Sequence, residues 1–165
     1  MQILAKTTAL LFAIALLSGC ASKFRDYSGP EVTRVVVYKQ SRRLFLIHKK
    51  TVLKSYRVGL GFAPRGDKKV EGDGRTPVGH YLIDRRNPDS RYHLSLGINY
   101  PSERDISEAE ALGKAPGGDI FIHGQGRNFS FLIPDWTWGC IAVTNDEMEE
   151  IYAMVRDGTP ISIYE

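Results

Sequence analysis

Two side chains in this sequence have the chemistry for covalent catalysis at a carbonyl. They are the thiol of Cys140 and the imidazole of His123, seventeen positions upstream. A thiol with an ordinary pKa of about 8.5 is only a few per cent ionised at neutral pH. A neighbouring imidazole removes that obstacle by accepting the proton and holding the thiolate as an ion pair. His123 ends the apolar run Asp119–His123, a predicted core strand whose tip would meet solvent. Cys140 follows Gly139, a residue type that permits backbone conformations others resist. Amides turned inward at such a corner, at Gly139 and Cys140, would donate to a developing oxyanion.

The other cysteine explains why Cys140 stands alone. Lys6, the apolar run Ala9–Leu17 and the small residues Ser18 and Gly19 lead directly into Cys20, which is secretory signal architecture. Nine apolar residues fall well short of the roughly 20 needed to span a bilayer. Leu17-Ser18-Gly19-Cys20 resembles a bacterial lipoprotein signal. That resemblance implies a signal peptide over 1–19, a lipid on Cys20 as the first mature residue, and a membrane-held protein without a spanning helix. With Ala21 rather than Asp after the cysteine, it also implies the periplasmic side of the outer membrane rather than the inner one. Cys140 then has no partner in the chain. A lone thiol in an oxidising compartment has either a chemical role or the inert role of a small buried hydrophobe.

The elements that must position these groups are mostly strands. Residues 21–31 are polar and read as a tether, so the folded domain spans 32–165. Val32–Lys39, Leu44–His48, Val52–Gly59, His80–Asp84, His93–Asn99, Asp119–His123 and Ile161–Tyr164 are β-branched or aromatic runs separated by polar turns. Leu60–Gly79, rich in glycine and charge, reads as one long loop, a feature that in compact domains is functional or disordered. Helices are expected over 102–114 and 144–156. The second opens with a capping box, Thr144 and Glu147, carries Met148, Ile151, Tyr152 and Val155 at helical spacing, and is expected to close at Gly158. The fold class is therefore mainly β with two helices in one domain.

In this order, four segments resemble the L,D-transpeptidase catalytic domain family (YkuD-type): Gly72–Gly79 with Thr76-Pro77-Val78-Gly79, Asn99-Tyr100-Pro101, Gly117–Gly124 ending in His123-Gly124, and Thr137-Trp138-Gly139-Cys140. The resemblance covers the whole domain and implies a β-sandwich-like fold acting on peptidoglycan stem peptides. By position it makes Cys140 the nucleophile, His123 the general base and Gly139 part of the oxyanion hole, with a backbone carbonyl orienting the imidazole. Gly124, Thr137, Trp138, Thr76 and Arg127 are the candidate substrate-binding residues. The family attacks the L-centre carbonyl of diaminopimelate in a tetrapeptide, expels D-Ala, and resolves the acyl-enzyme with an amine or with water.

Two departures stand out. Trp138 replaces a common His, and Cys140-Ile141-Ala142 lacks the family's Arg at the third position. Arg127 and Arg75 are the candidates to supply that charge. The loss leaves thiol chemistry intact and keeps a hydrolase open beside the transferase, with a wall-binding lipoprotein as the non-catalytic alternative.

Several residues carry plainer expectations. His48, His80 and His93 are ordinary histidines, Glu71 and Asp73 form turns, and the acidic run Asp146–Glu150 only favours a helix start. Thr137 either fixes its loop or meets substrate, and Trp136 and Trp138 either line a groove or pack in the core. No zinc motif or cofactor site is evident. Removing residues 1–19 takes one Lys from 22 basic and 19 acidic residues, leaving +2, too mild to suggest nucleic acid. A monomer is expected.

Overall fold

The computed structural model of the protein describes residues 22–125 and 134–165. The signal segment 1–19, Cys20 and Arg127 lie outside the described residues. Strands β1 (Arg34–Tyr38), β2 (Arg43–His48), β3 (Thr51–Arg57), β4 (Gly79–Asn87) and β5 (Ser95–Ile98) come first. Helix α1 (Glu103–Ala111), strands β6 (Phe121–His123) and β7 (Ile141–Ala142), helix α2 (Asn145–Met154) and strand β8 (Pro160–Tyr164) complete the order.

The strands form one sheet in the order β3-β2-β1-β8-β4-β5-β6-β7. Alternation sets the register of its first half: Leu44 and Leu46 in β2, and Ile161 and Ile163 in β8, are fully buried while their neighbours are less so. β1 lies parallel to β8 with Val35 beside Ile161 and Val37 beside Ile163, so four branched side chains face one core. β4 is longer than the expected His80–Asp84 because it serves two partners. Its start pairs with β8, and beyond a bulge between Ile83 and Arg85 it pairs with β5.

The sheet nearly closes on itself. Chain leaving β3 crosses to the far edge, where Gly59 and Ala142 exchange two backbone hydrogen bonds of 2.8 Å. Phe62 N–H then donates to Thr137 C=O at 2.9 Å, and Thr137 N–H to Leu60 C=O at 3.2 Å. A Cβ on Gly59 would lie 2.2 Å from the Pro134 carbonyl oxygen, so this crossing requires glycine. β7 was not expected from the sequence; its two residues become a strand only through partners on β6 and at Gly59.

Thr144 and Glu147 form the expected capping box of α2, which buries Met148 and Ile151 completely. Gly158 does not cap the helix. Val155 already leaves it in extended conformation, and Gly158 (φ +84°) sits in the turn before β8. α1 has its own capping box, Ser102 with Asp105. Within the stretch 21–31, read as a tether, Lys23 and Arg25 bond to the domain.

Candidate active site

His123 and Cys140 come together because β6 and β7 are parallel neighbours, with Ile122 beside Ile141 and His123 beside Ala142. Ile122 and Ile141 both enter the core. Side chains one step away therefore share the other face, Phe121 and His123 on β6 and Cys140 at the entrance to β7. Phe121, His123 and Cys140 line one open cavity of about 530 Å³, with Tyr92, Ser95 and Asp119 on its other walls.

Among the described residues, the imidazole is held by one hydrogen bond and by rings. His123 Nδ1 lies 2.6 Å from the Gly124 carbonyl oxygen. A carbonyl only accepts, so Nδ1 carries the proton and Nε2 presents its lone pair. Tyr92 stacks on the ring at 4.5 Å and Trp136 meets it edge-on at 5.6 Å. The side chain is 3% exposed, and this burial holds its pKa below the ordinary imidazole value.

Cys140 is half-buried, and its thiol donates a long hydrogen bond, 3.5 Å, to the Asp119 carbonyl. Burial pushes the thiol pKa up; the Phe121 backbone amide opposes this, Asp119 adds to it and Lys68 opposes it. Both shifts favour a neutral thiol and a neutral imidazole over the ion pair expected from the residue types.

The turn bearing the sulfur is built by Thr137. Its Oγ1 donates to the Cys140 carbonyl at 2.7 Å and accepts from the Gly139 N–H at 3.2 Å. Thr137, which is buried, thus fixes its own loop. The Gly139 amide, expected in the oxyanion hole, is already engaged. Gly139 has φ +130°, and a Cβ there would lie 2.7 Å from the Arg75 carbonyl oxygen. The long loop 60–79 consequently packs directly behind the nucleophile.

Asp73 organises that loop by accepting from Lys68 Nζ (3.0 Å) and from the N–H groups of Lys69, Val70 and Arg75. Burial would raise its pKa, but these donors hold it below the ordinary carboxylate value. Thr76, expected at the substrate, is fully buried and accepts from the Gly61 N–H at 3.1 Å. Gly124 likewise acts through its carbonyl on His123 rather than on substrate. Trp138 is 71% exposed and packs edge-on against Phe62 at 4.9 Å, beside the catalytic turn. Trp136 takes the other role, as a wall of the imidazole's cage.

Ala142 is buried with its backbone committed to Gly59, and it lines a pocket with Arg57 and Trp136 rather than the cavity that holds Cys140. Of the expected substitutes, Arg75 points to the Asp67 carbonyl at 3.4 Å. Among the described residues, Lys68, nearly buried and paired with Asp73, also lowers the Cys140 pKa, as the smallest of the named influences; Arg127 lies outside the described residues. Sequence reasoning missed Lys68 and Tyr92. A lysine in a charged loop and a tyrosine ahead of a strand carry no signal that separates them from surface residues.

Comparison with known proteins agrees with this geometry. The L,D-transpeptidase catalytic domain family, YkuD, matches residues 32–163. "Putative L,D-transpeptidase YafK" of Escherichia coli K12 is 28% identical over 127 residues, covering 73% of this chain and 46% of that protein. The helical cell shape determining protein Pgp2 of Campylobacter jejuni superposes with a TM-score of 0.64 at 29% identity, covering 84% of this chain and 49% of Pgp2. Bd1075 of Bdellovibrio bacteriovorus shares the fold, with a TM-score of 0.57 at 23% identity over 86% of this chain and 50% of that one. The chain thus spans about half the length of these relatives. On its residues, its fold and the family match together, it belongs to the YkuD-type L,D-transpeptidase catalytic domain family.

Proposed function

We propose that this protein is a periplasmic, lipid-anchored cysteine acyltransferase acting on peptidoglycan tetrapeptide stems through a Cys140 acyl-enzyme. The supporting observation is the shared cavity, in which a half-buried thiol faces a histidine whose tautomer is set by the Gly124 carbonyl. Sγ attacks the L-centre carbonyl carbon of diaminopimelate as its proton passes to His123 Nε2. With the Gly139 amide engaged, the Cys140 N–H is the donor assigned to the oxyanion; one such donor contributes on the order of 100- to 1,000-fold. Collapse breaks the amide C–N bond, and Nε2 returns the proton to the departing D-Ala nitrogen. An incoming amine, deprotonated by the same Nε2, then attacks the thioester and restores the thiol.

Resolution by water is a second mechanism, favoured by Ala142 standing where the family carries Arg. The two are separated by products. Incubation with tetrapeptide muropeptides followed by mass analysis is expected to give cross-linked or amine-exchanged peptides and free D-Ala. Shortened peptides alone would assign the hydrolase. No acylation of Cys140 by either substrate or a carbapenem would remove both and leave a wall-binding protein.

A further inference from the structure

The stretch just after Cys20 grips the loop that cages the catalytic histidine. Lys23 Nζ donates to the Pro88 carbonyl at 2.6 Å and to the His93 carbonyl at 3.3 Å, tying together both ends of the loop between β4 and β5. Arg25 Nη2 lies 2.8 Å from Glu149 Oε2 on α2, and Nη1 lies 3.5 Å from Glu150. The other oxygen of Glu149 meets His93 Nε2 at 2.9 Å. Glu149, expected only to favour the start of α2, thus joins the N-terminal segment to this loop, while Glu150 adds a second contact to Arg25.

The loop needs such a hold. His93 adopts φ +76°, a left-handed conformation that non-glycine residues seldom keep without outside contacts. Ser90, Arg91 and Tyr92 are exposed or half-buried and line the cavity that holds Cys140. Tyr92 is the ring stacked on His123. We infer that Lys23 and Arg25 are positioning residues: they strap the loop 88–93 down so that Tyr92 keeps the His123 imidazole oriented and dry. Lys23 stands three positions after Cys20, so membrane attachment and one wall of the cavity share a single short stretch of chain.

This inference rests on the proposed Cys140–His123 pair, and its test separates the two. In the full-length chain, the rate of carbapenem acylation of Cys140 is followed against pH for wild type, Lys23→Ala/Arg25→Ala, Lys23→Arg and His123→Ala. A misplacement of about 1 Å costs on the order of 100-fold, and a loosened rather than displaced loop should cost about 3- to 30-fold. Because water then reaches the imidazole, the acid limb of the double variant should move to higher pH, while Lys23→Arg, which can still donate to both carbonyls, should stay near wild type. A double variant with a lower Tm but unchanged rate and acid limb would overturn the strap. Wild-type acylation indifferent to His123→Ala would instead overturn the catalytic pair.

Discussion

The two halves of the sheet are built on different terms. β1, β2, β3 and β8 run five to seven residues and pair along most of their length, with Leu44, Leu46, Ile161 and Ile163 fully buried. β5, β6 and β7 have four, three and two residues and exist because distant backbone closes over them. The cavity that holds His123 and Cys140 lies in the second half. The lesson is a division of labour: a locally determined platform carries the stability, while a site assembled by non-local bonds can hold groups, such as a buried imidazole and a left-handed Gly139, that no isolated strand would tolerate.

The sharpest way to break this contrast is at the pair itself. His123→Ala should slow acylation of Cys140 by about 100- to 10,000-fold, read by mass spectrometry of the intact protein, with far-UV circular dichroism unchanged. A comparable rate in the variant would place the chemistry elsewhere. In the platform, Leu46→Ala removes a fully buried side chain and should cost about 2–5 kcal/mol in denaturant unfolding, while the folded fraction still acylates at the wild-type rate. If the rate falls in step with stability, the halves are not separable.

Thr137→Val conserves shape but strands the Gly139 N–H and the Cys140 carbonyl. About 1–3 kcal/mol of stability should be lost. Acylation should suffer more than it does in Leu46→Ala, because the loss falls on the turn that aims the sulfur. The smallest effect concerns pH. Burial depresses the His123 pKa in the folded state, so as pH falls below the ordinary value of 6.5 the unfolded chain takes up a proton that the native site refuses. Stability is therefore fully present above that value and declines as pH drops toward the depressed one. Replacing His123 with Gln should flatten that part of the unfolding profile, and an unchanged slope would mean the imidazole is hydrated.

The platform was legible in the sequence. The runs Val35–Val37 and Leu44–Ile47 read as strands because they are apolar and bounded by polar turns, and Thr144 with Glu147 marks the start of α2, since a capping box spans only one helical turn. Cys140 and His123 were singled out by residue type and position, a lone thiol after Gly139 and a histidine at a strand tip. The support around them was not. Thr76 and Thr137 looked like substrate contacts, and became internal hydrogen-bond partners once Gly61 and Gly139 were seen beside them.

By itself the sequence determined the mainly β character of the fold and where helix α2 begins, because each depends on interactions within a few positions, and it singled out Cys140 and His123 by residue type. Only the tertiary structure decided that the Gly124 carbonyl selects the His123 tautomer, that Tyr92 and Trp136 pack on the ring, that Lys68 pairs with Asp73 in the loop behind Cys140, and that Lys23 reaches the Pro88 and His93 carbonyls. The contacts of Tyr92 and Lys23 join segments tens of residues apart, and their geometry exists only after the sheet has folded and its edges have met at Gly59 and Ala142.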